Sequence, residues 1–198
     1  MIAKRLFDLL ASGLGLVFLA PLFIAIAIAI KWESPGPVFF RQERVGRFGK
    51  SFRIHKFRTM TVDSERNGLQ ITVGADPRVT RVGLRLRKYK LDELAQLIDV
   101  FVGSMSLVGP RPEVPAYVAC YPSDAAHIIL SVRPGITDRA SIEFKDENEI
   151  LGKASDPHKT YIEEVLPIKI RFYLDYVETR SFVGDLSIII ATLFTIAR

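Results

Sequence analysis

The chain has 198 residues, 48% of them hydrophobic, with a net charge of +5; this suits one domain of modest core together with a membrane element. A single cysteine, Cys120, excludes an internal disulfide and a cysteine-based metal cluster. The excess of cations suits an anionic partner (phospholipid, nucleotide phosphate or nucleic acid), and composition does not choose among these.

Lys4, Arg5 and Asp8 precede a run of 22 uncharged residues, Leu9 to Ile30, and Lys31 follows it. As one straight helix the run would extend about 33 Å, enough to span a hydrocarbon core. A cleaved signal peptide has a shorter apolar stretch, about 7–15 residues; this run is longer, begins beside an acid and continues into Lys31-Trp32. A simple transmembrane helix fits the length. Against it stand Pro21 in mid-run, which bends a helix, and basic residues at both ends, which favour one side of the membrane for both. The residues therefore favour a re-entrant helix bent at Pro21 without excluding a straight span.

Trp32 stands where an interfacial aromatic belongs. Ser34-Pro35-Gly36-Pro37 is a breaker and divides the chain into a membrane element, 1–33, and a second unit, 34–198. Val38–Phe40 and Phe52–Met60 read as short strands around a Gly46–Gly49 turn. Arg41–Arg58 carries seven Lys/Arg and one acid, Glu43. A solvated face is the default for such a run, but beside an apolar anchor each cation would gain about 1 kcal/mol against anionic headgroups.

Arg78–Lys90 holds six further cations and no acid. Apolar positions 91, 94, 97, 98 and 101 then follow helical spacing, so an amphipathic helix begins near Leu91. Gly103 and Gly109-Pro110-Arg111-Pro112 end it in a rigid turn, Glu113–Tyr121 reads as a short helix, and Arg133-Pro134-Gly135 as another turn. Glu143–Glu164 carries seven carboxylates and reads as a loop leading to a helix start. Pro167 opens a helix to about Thr179. Phe182–Ile196, with Asp185 its one charge, is either a core helix or an interfacial one. The fold class is α+β, mostly helical. His55, His127 and His158 are isolated and read as ordinary histidines.

Asp92-Glu93 at a helix start is by itself unremarkable, since acids in a first turn are common and worth a few tenths of a kcal/mol. Its surroundings give it meaning. Arg85, Arg87, Lys88 and Lys90 lie just upstream, and Arg111 sits between two prolines. Phosphoryl transfer needs cations around non-bridging oxygens, a hard metal ion held by carboxylate, and a placed nucleophile. Mg²⁺ suits one or two carboxylates plus substrate phosphates, and a carboxylate can itself attack phosphorus.

Several motifs occur in order: Lys4-Arg5-Leu6-Phe7-Asp8, the apolar run with Pro21, Phe40-Arg41-Gln42-Glu43-Arg44-Val45-Gly46, Lys56-Phe57-Arg58-Thr59-Met60, Leu91-Asp92-Glu93-Leu94, Leu107-Val108-Gly109-Pro110-Arg111-Pro112-Glu113 and Arg133-Pro134-Gly135-Ile136-Thr137. Together they resemble the small monotopic phosphoglycosyl transferases, the bacterial sugar transferases, over essentially the whole chain. The resemblance implies a re-entrant amino-terminal helix-break-helix hinged at Pro21. It also implies a small catalytic domain with amphipathic interfacial helices on the cytoplasmic face of the bacterial inner membrane. The implied reaction moves a phosphosugar from a UDP-sugar to undecaprenyl phosphate and releases UMP. By the same likeness Asp92 is the nucleophile and a Mg²⁺ ligand, and Glu93 assists it. Arg111, flanked by Pro110 and Pro112, holds phosphate or nucleotide together with Lys56, Arg87 and Arg133; Asp185 matches a family acid, assigned to substrate binding.

The chain departs from the family pattern at Ala95, where many relatives have proline, at Lys90, where many have serine, and at Asp138-Arg139-Ala140-Ser141. If that last loop lies near the sugar, the departure bears on which sugar is carried. A membrane adaptor that binds anionic lipid is the rival from another class, and no module for nucleic acid is present. The sequence neither requires nor excludes a homodimer.

Overall fold

The computed structural model describes residues 2–62 and 76–197. Helix α1, Ile2–Glu33, is helical throughout, Pro21 included. The expected break in secondary structure is thus absent, since proline deletes one backbone donor and leaves the helical turns on either side able to form. Among the described residues α1 is the one helix long and apolar enough to cross a membrane, and the most apolar 18-residue stretch of it is only 11% buried. Leu14, Val17, Phe18, Ile24 and Ile28 project outward.

Both ends of α1 are nonetheless tied to the folded body. Near the start, Lys4 Nζ lies 2.5 Å from Asp185 Oδ2 and donates to the Val108 carbonyl at 3.0 Å. Arg5 donates to the carbonyls of Val100 and Phe101, and buried Asp8 accepts from Ser106 Oγ at 2.8 Å and Leu107 N at 3.1 Å. At the far end Ile26 and Ile30 are buried in a cluster with Phe57, Leu86 and Ala95. Glu33 accepts from the backbone N–H groups of Arg81 and Val82 at 2.8 and 2.9 Å. The exit turn follows. Arg58 donates to the carbonyls of Ser34 and Pro35, and Gly36 has φ +120° with Arg58 Nη1 where a side chain would begin, so only glycine fits.

Strand β1, Phe39–Val45, runs antiparallel to β2, Ser51–Phe57, with Phe39 opposite Phe57 and Val45 opposite Ser51. The first strand is longer than the sequence suggested, because Arg41 and Glu43 occupy its exposed positions and hide the alternation. Helix α2, Arg81–Lys88, is capped by Thr80, whose Oγ1 accepts from Gly83 N at 2.9 Å. A 3-10 helix, Leu91–Gln96, leads into α3, Leu97–Val102, which Gly103 ends. The amphipathic α-helix expected from Leu91 is therefore split.

Strand β3, Ser106–Val108, pairs in parallel with β4, Gly135–Thr137. Gly109 and Gly135 meet backbone to backbone at this crossing, with no room for a Cβ on either. Between the strands lie α4, Pro115–Val118, and α5, Ser123–Ile129; the helix expected over Glu113–Tyr121 is limited to the first of these. Helix α6, Arg139–Glu143, leads into the acidic stretch, and that stretch, expected as a loop leading to a helix start, forms α7, Glu147–Gly152, and α8, Pro157–Thr160. A π-helical turn, Tyr161–Val165, runs into α9, Leu166–Thr179, where Pro167 was expected to open a helix. Helix α10, Phe182–Ala197, buries Asp185 and Ile188 and leaves Val183, Ile190, Leu193 and Phe194 exposed. It serves the core on one side and presents an apolar face on the other.

Candidate active site

The chain between α2 and the 3-10 helix turns at Lys90, which has φ 54° and ψ 20°. This left-handed conformation costs a non-glycine residue about 1–2 kcal/mol, and it re-aims the helix that follows. Residues of a 3-10 helix project about 120° apart, so Asp92 and Glu93 point to different neighbours.

Glu93 faces β2 and the Pro-Arg-Pro turn. Lys56 Nζ donates to Glu93 Oε1 at 2.8 Å, Arg111 Nη1 donates to Oε2 at 3.0 Å, and Arg111 Nη2 donates to Oε1. Burial pushes the Glu93 carboxyl up, but the Arg111 guanidinium and Lys56 ammonium outweigh it and hold it well below the usual carboxylate range. In return Glu93 raises Arg111 well above its ordinary value. Burial lowers Lys56, and Glu93 opposes that shift.

Asp92 is different. It is 8% exposed, and among the described residues no side chain or backbone group forms a hydrogen bond or close ion pair with its carboxylate. Lys56, Arg87 and Lys90 act on it only through space; burial is the larger effect and, with the neighbouring Glu93 charge, raises its carboxyl. Arg87 is held in place by Thr59, whose Oγ1 accepts from Nε at 2.9 Å. The result is one pinned carboxylate and one free carboxylate beside three cations.

Of the expected site residues, Lys56, Arg87 and Arg111 gather at Asp92 and Glu93. Pro110 and Pro112 hold the turn through their carbonyls, which accept from Gly135 N at 3.0 Å and Arg44 Nη1 at 2.9 Å. Asp185 and Arg133 are engaged elsewhere in the fold. Asp185 is 4% exposed and both its oxygens have partners, Lys4 and Tyr176 Oη at 3.0 Å, so it fastens α1 to α10. Arg133 donates from Nε to the Gly103 carbonyl at 2.8 Å and braces the end of α3. His55 is not isolated: its ring lies 2.7 Å from buried Asp99, which also accepts from His55 N at 2.8 Å.

Sequence reasoning passed over the residues behind the turn. Glu113, 5% exposed, accepts from Tyr161 Oη at 2.7 Å and lies 3.7 Å from Lys169 Nζ and 3.8 Å from Arg44 Nη1. Lys169 carried a signal, since it falls on the buried stripe of α9 with Leu166, Ile170 and Tyr173. A cation there requires a partner.

No cluster of three His, Cys, Asp or Glu able to hold a metal exists among the described residues. Mg²⁺ takes one or two carboxylates and completes its shell with water and phosphate oxygens, so a site for it would need no more than the acidic pair offers. Asp92 is the carboxylate with capacity to spare.

The family model described as bacterial sugar transferase matches residues 1–198. The chain is 40% identical over 195 residues to the UDP-N-acetylgalactosamine-undecaprenyl-phosphate N-acetylgalactosaminephosphotransferase of Aeromonas hydrophila, covering 98% of this chain and 43% of that protein. It is 37% identical over 194 residues to the UDP-glucose:undecaprenyl-phosphate glucose-1-phosphate transferase of Escherichia coli K12, covering 96% and 39%. It spans about two-fifths of the length of both. The exopolysaccharide production protein PSS of Rhizobium leguminosarum is 36% identical over 208 residues and is covered over 94% of its length.

Proposed function

Because the chain belongs to the bacterial sugar transferase family, we propose that it transfers a sugar 1-phosphate from a UDP-sugar to undecaprenyl phosphate at a membrane surface, through a covalent intermediate on Asp92. The observation that carries this reading is the contrast at the acidic pair. Glu93 is clasped by Lys56 and Arg111, while the almost buried Asp92 carboxylate has no hydrogen-bonding partner among the described residues.

In this reading an Asp92 oxygen attacks the β-phosphorus, the bond from that phosphorus to the bridging oxygen breaks, and UMP leaves carrying the oxygen and its charge. A phosphate oxygen of undecaprenyl phosphate then attacks the same phosphorus and frees the Asp92 carboxylate, giving the lipid diphosphate sugar. Arg111, Lys56 and Arg87 offset the charge that spreads over the phosphate oxygens. Glu93 keeps the first two cations in place. Asp92 would hold Mg²⁺ together with the substrate phosphates, and the ion when bound would neutralise phosphate charge.

The attachment of both ends of α1 to one body supports a re-entrant anchor. A straight helix of this length extends about 48 Å, whereas Lys4 and Glu33 both contact the same domain. With both ends on the basic, cytoplasmic side, the site lies at headgroup depth, where a lipid-borne acceptor arrives within the membrane plane and loses less translational freedom.

The test is to incubate protein, Mg²⁺ and a panel of UDP-sugars without lipid. UMP release together with a phosphosugar adduct on the Asp92 peptide is expected from the wild type, and Asp92→Asn is expected to lose at least about 10³-fold in turnover. Lipid-dependent UMP release with no adduct would instead favour a one-step transfer in which Asp92 serves only the metal.

A further inference from the structure

Behind the Pro-Arg-Pro turn lies a set of buried charges that the reaction as described does not use. Lys169, 3% exposed on α9, has its ammonium 2.5 Å from Glu147 Oε2 of α7, 3.7 Å from Glu113 Oε1, and donates to Tyr161 Oη at 3.2 Å. Tyr161 Oη donates in turn to Glu113 Oε1 at 2.7 Å. On the other side Arg44 lies 3.8 Å from Glu113 Oε2 and donates to the Pro112 carbonyl, while the Glu113 carbonyl accepts from Val45 N at 3.0 Å. Residues 112 and 113 are held from β1, α9 and the π-helical turn at once.

Packing alone does not call for this arrangement. Coulomb attraction between buried charges does little more than offset their desolvation, and apolar side chains of equal volume would fill the space as well or better. What charges add is placement. Pro112 fixes its own φ and confines Arg111 to extended backbone, so the direction in which the Arg111 side chain leaves the turn follows from where Pro112 and Glu113 are held. We propose that Lys169 is a positioning residue: by anchoring Glu113 it fixes the Pro-Arg-Pro turn, sets the Arg111 guanidinium beside Glu93, and thereby sets affinity for the diphosphate of the donor. The inference rests on the reading of Arg111 as a phosphate-binding group.

A double-mutant cycle on the full chain in detergent tests it, with UDP as the calorimetric probe. Lys169→Met in the otherwise native protein is expected to weaken UDP binding about tenfold. In an Arg111→Lys background, where the two-pronged contact is already lost, it should weaken binding less than about twofold. The loss of melting temperature caused by Lys169→Met should be equal in both backgrounds, which separates placement from general stability. Should Lys169→Met fail to fold, Tyr161→Phe removes the hydrogen bond to Glu113 and keeps the ring; it should give the same pattern at about threefold. An equal loss of affinity in both backgrounds, or none in either, would overturn the positioning role. Wild-type protein that bound no UDP would instead sink the reading of the site itself.

Discussion

At the scale of single residues, the acidic pair illustrates how neighbours in sequence become opposites in chemistry. Burial acts on both carboxyls, yet Glu93 falls well below its ordinary value and Asp92 rises above it, because Arg111 and Lys56 bond directly to the first, whereas Lys56, Arg87 and Lys90 act on the second only from a distance. A raised folded-state value means that Asp92 destabilises the fold once it is ionised. Below the ordinary aspartate value of 3.8 both folded and unfolded chains carry the proton and the penalty vanishes. Asp92→Asn should therefore melt at a higher temperature than wild type at pH 7, with the gain shrinking as pH falls and gone near pH 4, while activity is lost. Melting scans of the two proteins across that range check this, and a gain that grew toward acid pH would contradict it. On the proposed role of Asp92 as nucleophile, which requires its ionised form, the same shift places the acid limb of kcat/KM above the range of an exposed aspartate.

The elements are joined by capping contacts that act across the chain. Glu33, the last residue of α1, accepts from the first two backbone N–H groups of α2, which have no partner within their own helix. Helix α2 leads through Arg87 and Lys90 to Asp92, so the Glu33 carboxylate ties the end of the apolar helix to the segment that carries the acidic pair. Glu33→Ala is expected to cost about 1 kcal/mol, lowering the melting temperature by about 2–4 °C; Glu33→Gln should cost less, since it keeps one acceptor oxygen. An unchanged melting temperature for the alanine variant would mean that the cap contributes nothing. Arg58 performs a matching task at the exit turn, where its guanidinium binds two successive carbonyls and its position forces glycine at residue 36.

For the molecule as a whole the proposed re-entrant anchor has a direct check. In a Cys120→Ser background, single cysteines at Ile2 and Trp32, both 88% exposed, should react with an impermeant maleimide from one and the same side of sealed membrane vesicles. Labelling from opposite sides would establish a spanning helix. The sequence by itself determined the apolar helix and its basic flanks, the helix around Pro167, and the order of the motifs that single out Asp92, Glu93 and Arg111, because these are carried by local composition, by helical spacing and by turn residues. Tertiary structure decided which cations surround the acids. Arg111 reaches Glu93 across 18 positions and Lys56 across 37, and no local pattern encodes such meetings. It also drew Arg133 to Gly103 and Asp185 to Lys4, turned α2 into Asp92 at Lys90, and buried Lys169 behind the turn. Each of these depends on the desolvation of a polar group that must find a partner, and the partner available is fixed only when distant segments pack together.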